Sequence, residues 1–229
     1  MLSRLYKVKN LFYILFIFSF ILVINFQKSS AETENILITY SSKMNQIEFD
    51  GRWSHFSEWK ESSLNSIGDY VKIRTAHYEN YIYVFVDVLS DSTLNKGSDR
   101  TVICFDSENN KSNIPDNDDY CFIAILEREN GFILQGGSPF GSKGNFQIIP
   151  NPKEFFAIGA VSNENDRYSH MPHPSYEFKI PTDLISRTSE YGFYLETFDA
   201  SSGKSLTWPN NTPKISPEKI PPPVFWGEL

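Results

Sequence analysis

Soft ligands and reactive thiols are scarce in this sequence. Two cysteines, four histidines and three methionines are spread over 229 residues. None falls in a Cys-x-x-Cys-His or His-Glu-x-x-His pattern, which removes covalent haem attachment and the usual zinc-hydrolase helix. A Gly-x-Ser-x-Gly elbow and a phosphate-cradling P-loop are also missing. No set of residues fills the nucleophile, base and oxyanion roles together, so the chain is not expected to be an enzyme. Basic residues are outnumbered, 21 Lys and Arg against 28 Asp and Glu, and they form no cluster. That argues against nucleic acid and anionic membrane surfaces as partners. No apolar run reaches the roughly 20 residues that span a bilayer. Long amphipathic helical stretches and internal repeats are absent too.

The longest apolar run is Leu11 to Ile24, interrupted by Ser19. Arg4, Lys7 and Lys9 precede it, and Ser29-Ser30-Ala31 follows. This is the three-part pattern of a secretory signal, with cleavage expected after Ala31. The expectation is a secreted or cell-envelope protein with no membrane contact after cleavage. An uncleaved N-terminal anchor is the alternative, because Phe26 lengthens the apolar stretch. Removing 1–31 leaves 198 residues, with 17 basic against 28 acidic, a net charge of −11. Such a surplus of acids serves solubility and is compatible with cation binding.

In an exported chain, an even cysteine count suggests a disulfide. Cys104 and Cys121 lie in the strand-like segments TVICFD and DDYCFIAIL. A hairpin centred between Ser112 and Asn113 sets them directly opposite each other, within bridging reach. Two buried free thiols are the alternative.

Strand patterns dominate the remainder. In Tyr70 to Asp91, Val71, Ile73 and Thr75 alternate with Lys72, Arg74 and Ala76, and Glu79-Asn80 supplies a turn. In the second strand Ile82, Val84, Val86 and Val88 line one face and Tyr81, Tyr83, Phe85 and Asp87 the other, so both faces are largely apolar or aromatic. That marks a central strand. Further strands are expected at 36–40, 100–105, 120–127, 132–135, 146–149, 155–161, 176–180, 191–198 and 205–208. Short helical turns are expected at 53–59 and 182–186. Trp53, Phe56 and Trp59 are expected to share one packing face. Residues 211–229, with Pro213, Pro217 and Pro221–Pro223, read as an extended tail outside any strand. The fold class is an all-β antiparallel sandwich of the jelly-roll or immunoglobulin-like kind. Its expected limits are 46–210, after a lead-in of 32–45.

Five segments come in a distinctive order: IEFDGRWSHFSEW, ENYIYVFVDVLSD, CFDSENN, YEFKIPTDLI and YGFYLETFDA. Over 46–210 they resemble the family 9 carbohydrate-binding module, one of the DOMON-like sandwiches. The resemblance implies carbohydrate or a glycan surface as partner, often with bound calcium. Relatives in the wider group carry haem in electron transfer. A cell-envelope interaction protein that binds no sugar, working with a separate envelope partner, is the other alternative. The family clasps a sugar ring between two aromatic side chains. The candidates here are Trp208, Trp226, Phe140 and Tyr168, because an aromatic face stacks on the C–H patches of a sugar.

Asp106, Glu108 and Asn110, with Asp116 and Asp118, offer oxygens from the two arms of the Cys104–Cys121 hairpin loop. Calcium takes six to eight such hard ligands, so a structural calcium is expected there. Asn110-Lys-Ser112 and Asn210-Asn-Thr212 are also glycosylation sequons. The segment Ser169-His170-Met171-Pro-His173-Pro raises haem, but adjacent residues cannot ligate opposite sides of one ring. Haem is therefore not expected, and these histidines read as loop residues or at most a surface metal site.

Overall fold

The computed structural model describes residues 35–139, 145–210, 212–213 and 219–229. The expected signal segment, residues 1–31, lies outside them. Thirteen strands make up the described fold: β1 Thr39–Tyr40, β2 Ser63–Ile67, β3 Val71–Tyr78, β4 Tyr81–Val88, β5 Arg100–Asp106, β6 Asp119–Ile125, β7 Phe132–Gln135, β8 Gln147–Ile149, β9 Phe156–Val161, β10 Pro174–Pro181, β11 Gly192–Asp199, β12 Lys204–Trp208 and β13 Gly227–Glu228. One helical turn, α1 Thr182–Ile185, follows β10, and short 3-10 turns lie at Ser42–Gln46 and Pro223–Phe225. No helix among the described residues is long and apolar enough to cross a membrane.

Two sheets carry these strands. The first has the order β1-β3-β4-β10-β9, with β2 also on β3; the second has β12-β11-β5-β6-β7-β8, with β13 also on β11. Pairing is antiparallel except between β1 and β3. Asn35 bridges Glu228, and the Ile36 amide donates to the Glu228 carbonyl at 2.8 Å. The β3–β4 hairpin forms as its alternation predicts, and β4 lies inside the sheet between β3 and β10. Cys104 stands opposite Cys121 in the β5–β6 register, and the two are bonded.

The main core lies between the sheets. Val71, Ile73, Val84 and Val86 meet Ile103, Phe105, Phe122 and Phe193 there. Each sheet is also covered on its outer face. Trp53, Trp59 and Met44 lie over Ala76, Tyr83 and Phe85 of the first. Ile220 and Trp226 lie over Cys104, Cys121 and Tyr194 of the second. Strands buried on both faces lose the strict apolar–polar alternation of a half-exposed sheet.

Two expectations change. Residues 53–59 form turns rather than a helix, and Phe56 is exposed while Trp53 and Trp59 are buried. Without helical spacing, i+3 no longer shares a face with i. The C-terminal segment also forms a strand, since β13 pairs with Gly192 and Phe193 of β11. The prolines end before Gly227, so the amides needed for pairing are present.

Glu177 of β10 anchors the covering segment on the first sheet. Its carboxyl accepts from the amides of Asp50 and Gly51 and from Trp59 Nε1. Gly51 has φ +86°, and a Cβ there would come within 2.8 Å of the Ala160 amide nitrogen, so the chain needs glycine at this point.

Candidate functional site

Where β4 and β11 end, a cleft of about 360 Å³ opens between residues of both sheets. Tyr70, in the turn before β3, forms one wall and is 57% exposed. Val88 and Leu206 supply apolar lining. Ser90, Asp91, Thr197, Asp199, Ser202 and Lys204 bring hydroxyls, carboxylates and one ammonium group.

The polar wall is held by its own turns. Asp99 accepts from the amides of Asn95 at 2.6 Å and Ala200 at 2.9 Å, tying the β4–β5 connection to the β11–β12 turn. Asp199 accepts from the amides and hydroxyls of Ser201 and Ser202. Carboxylate oxygens of Asp91, Asp99 and Asp199 lie within 4.8 Å of one another. Burial pushes Asp91 up to about 6, and the charges of Asp99 and Asp199 add to the rise. Asp199 loses some solvation, but the bonds from Ser201 and Ser202 outweigh that and hold it below the usual carboxylate range. An exposed ring face beside apolar walls and hydrogen-bonding groups suits a neutral, hydroxyl-rich ligand.

The aromatics expected to bind ligand stand elsewhere. Trp208 is buried, its ring 5.7 Å from that of Phe193. Trp226 is buried in a stack on Tyr194, with Nε1 donating to the Pro221 carbonyl. Tyr168 is half-buried; its hydroxyl accepts from Arg74 Nε at 2.8 Å, and its ring meets Trp53 edge-on. Phe140 lies outside the described residues. Tyr70, expected from sequence at the start of a strand, lies in the turn before β3 and is the ring that lines the cleft. Its place after Gly68-Asp69 marks a turn, a signal for exposure.

A second polar cluster sits at the open end of the β5–β6 hairpin. Asp106 is buried at the end of β5 and accepts from the amides of Asn110 and Lys111. Asn110 Nδ2 bridges Asp116 and Asp118, while the Glu108 side chain points to solvent and only its amide reaches Asp118. Asp119, not among the ligands expected from sequence, faces Asp106 across the register. Asp119 Oδ2 accepts from the Asp116 amide at 2.7 Å, but its buried Oδ1 has no donor. Counting two places outward from Cys104 and Cys121 pairs these two residues on the cysteines' face of the sheet, so the signal was present. Burial pushes Asp119 up to about 8, and the charges of Asp106, Asp116 and Asp118 add to it. Oxygens of Asp106, Asp118 and Asp119 lie within 4.8 Å of one another. Crowded carboxylates with an unsatisfied buried oxygen fit a hard cation such as calcium.

A third cluster is buried on the outer face of the first sheet. His173, expected in a loop or at the surface, is only 2% exposed and stands just before β10. Its Nε2 lies 2.6 Å from Asp87 Oδ1 of β4 and 3.9 Å from Asp166 Oδ2. Burial lowers the His173 pKa, but the hydrogen bond and charge of Asp87 more than offset this and hold it above the ordinary value. Burial lifts Asp87 to about 6 against the pull of His173. The register explains the meeting: Ser175 lies opposite Asp87, so His173 falls one step further along the same face.

No protein-family model matches the sequence, and no curated protein matches it. Among solved structures, the chain is similar to a family 9 carbohydrate-binding module from Caldicellulosiruptor kristjanssonii in complex with cellotriose. The identity is 15%, over 85% of this chain and 92% of that one, with a TM-score of 0.51. The same comparison with the module in complex with glucose gives 14% identity, 85% and 94% coverage, and a TM-score of 0.50. The chain therefore has a fold like that of these modules.

Proposed function

We propose that this chain is an exported carbohydrate-binding domain without catalytic chemistry, that its ligand lies in the Tyr70–Asp91 cleft, and that calcium binds at the mouth of the β5–β6 hairpin. The observation that carries this reading is the cleft. An exposed aromatic face there stands beside Asp91, Asp199 and Lys204, in a space within the roughly 300–1,000 Å³ range of small-ligand sites. A pyranose ring stacks its C–H face on Tyr70 while its hydroxyls donate to the carboxylates and accept from Lys204. The sugars in the two similar structures support the ligand class. The Cys104–Cys121 bond supports export to an oxidising compartment. For calcium, Asp106, Asp118 and Asp119 are the residues to hold the ion, with Asp116 and Asn110 beside them. The ion would neutralise the crowded carboxylates and fix the loop.

The cleft departs from the family's paired aromatics. Among the described residues Tyr70 is the one ring lining it, and Val88 and Leu206 supply aliphatic contact in place of a second ring. Binding is accordingly expected to be weak. Calorimetry with cello-oligosaccharides tests the reading: the wild type binds, and Tyr70→Ala weakens binding by about tenfold. An unchanged affinity in Tyr70→Ala refutes the site. Binding to no glycan at all leaves the envelope interaction protein as the better description, and turnover of the oligosaccharide ends the non-catalytic reading.

A further inference from the structure

The buried cluster of Asp87, Asp166 and His173 is not used by the cleft or the acidic hairpin. Its hydrogen bonds are unevenly distributed. His173 Nδ1 faces the Met171 carbonyl at 2.7 Å and Ser162 Oγ at 3.0 Å. The Met171 carbonyl can only accept, so Nδ1 carries a proton; Nε2 faces the two aspartates, and the proton it shares with Asp87 Oδ1 is the one a cation would displace. Asp166 Oδ1 takes the amides of Tyr168 at 2.7 Å and Ser169 at 2.9 Å. No donor reaches Asp166 Oδ2 or Asp87 Oδ2, and both side chains are buried. One atom from each of the three residues falls within a 4.8 Å circle.

We infer that Asp87, Asp166 and His173 form a binding site for a divalent transition-metal ion of the zinc or manganese class. Two buried carboxylates with a neutral imidazole balance a +2 ion, whereas a single proton leaves one negative charge uncompensated. A histidine whose Nδ1–H is given to a backbone carbonyl presents Nε2 as metal-ligating histidines do. One nitrogen and two carboxylate oxygens favour zinc, manganese or iron(II) over calcium, which takes oxygens alone. The geometry needs little adjustment. Zinc bonds of about 2.0–2.1 Å put tetrahedral ligands roughly 3.4 Å apart, and Nε2 lies 3.9 Å from Asp166 Oδ2. The short contact to Asp87 Oδ1 is the one that opens, as the carboxylate turns Oδ2 toward the ion. Asp166 and His173 bound a connection whose exposed residues include Arg167, His170 and Met171, so the ion reaches the site when this connection lifts. Once bound, the ion fastens the connection to β4.

The test uses the metal-stripped full chain with excess calcium present, so that all-oxygen clusters are filled. Zinc titrated by calorimetry should bind one ion per chain and raise the unfolding midpoint. Asp166→Asn keeps an oxygen for the Tyr168 and Ser169 amides and should weaken zinc binding at least tenfold, as loss of an outer-shell partner already does. Cobalt should broaden the ring signals of His173 among the four histidines. Absence of zinc binding overturns the inference. So does an affinity unchanged in Asp166→Asn, or broadening confined to the exposed His55 and His170. If His173→Gln fails to fold, Asp166→Asn and the cobalt spectrum still decide the matter.

Discussion

Asp91, three residues beyond the end of β4, has a carboxyl that is buried beside those of Asp99 and Asp199 and raised to about 6. Its two protonation states serve opposite ends. The folded pKa lies above the unfolded one, so this group favours folding below the ordinary carboxylate range. That contribution disappears as the pH rises through about 6. The ionised form is the better acceptor for a sugar hydroxyl. Sugar affinity should therefore rise between about pH 5 and pH 7, as calorimetry across that range would read. Asp91→Asn should bind weakly with a flat profile, and it should unfold at a higher temperature than the wild type at pH 7. The sequence does not reveal such a residue. Asp91 sits in a polar, turn-rich stretch where every carboxylate looks solvated, and only the fold brings Asp99 and Asp199 against it. The tryptophans misdirect for the converse reason: their size makes them the preferred filling of a core, which is where Trp208 and Trp226 go.

The β5–β6 hairpin is the element the sequence describes best. Its strands, its centre and its cysteine pairing all follow from alternation and spacing. What the pattern misses is Asp119, hidden at the end of a list of acids. A chelator should lower the unfolding midpoint of the wild type, and Asp119→Asn should abolish that response. A ligand at a hundred times its Kd contributes about 2.7 kcal/mol, which for a chain of this size amounts to roughly 5–10 °C. A midpoint indifferent to chelator removes calcium from the proposal. The stretch around Trp53 is legible in a different way. Aromatic spacing there identifies a covering segment, but Phe56 faces solvent because turns replace the helix.

At the scale of the molecule, the C-terminal segment closes the outer face of the second sheet. Leu229 exchanges two hydrogen bonds with Tyr191, and Lys111 Nζ donates to the carbonyls of Trp226 and Gly227. Ending the chain at residue 218 would uncover Tyr194, Leu134 and Phe146. Such a variant should unfold at a lower temperature and bind a hydrophobic dye that the intact chain excludes. An unchanged midpoint would show that this segment is dispensable. Proline content hid the role of the segment in the sequence, because prolines argue against a strand while saying nothing of what the residues after them do.

The pairing of Asn35 with Glu228 has a consequence for orientation. Glu228 meets Gly192 at the start of β11, and Asp199 of the cleft ends that same strand. At about 3.3 Å per residue, the strand separates the two by roughly 23 Å. The described chain ends thus leave from one pole of the sandwich, and the cleft opens at the other. A sugar bound in the cleft, as proposed, would sit at the pole opposite Asn35 and Glu228.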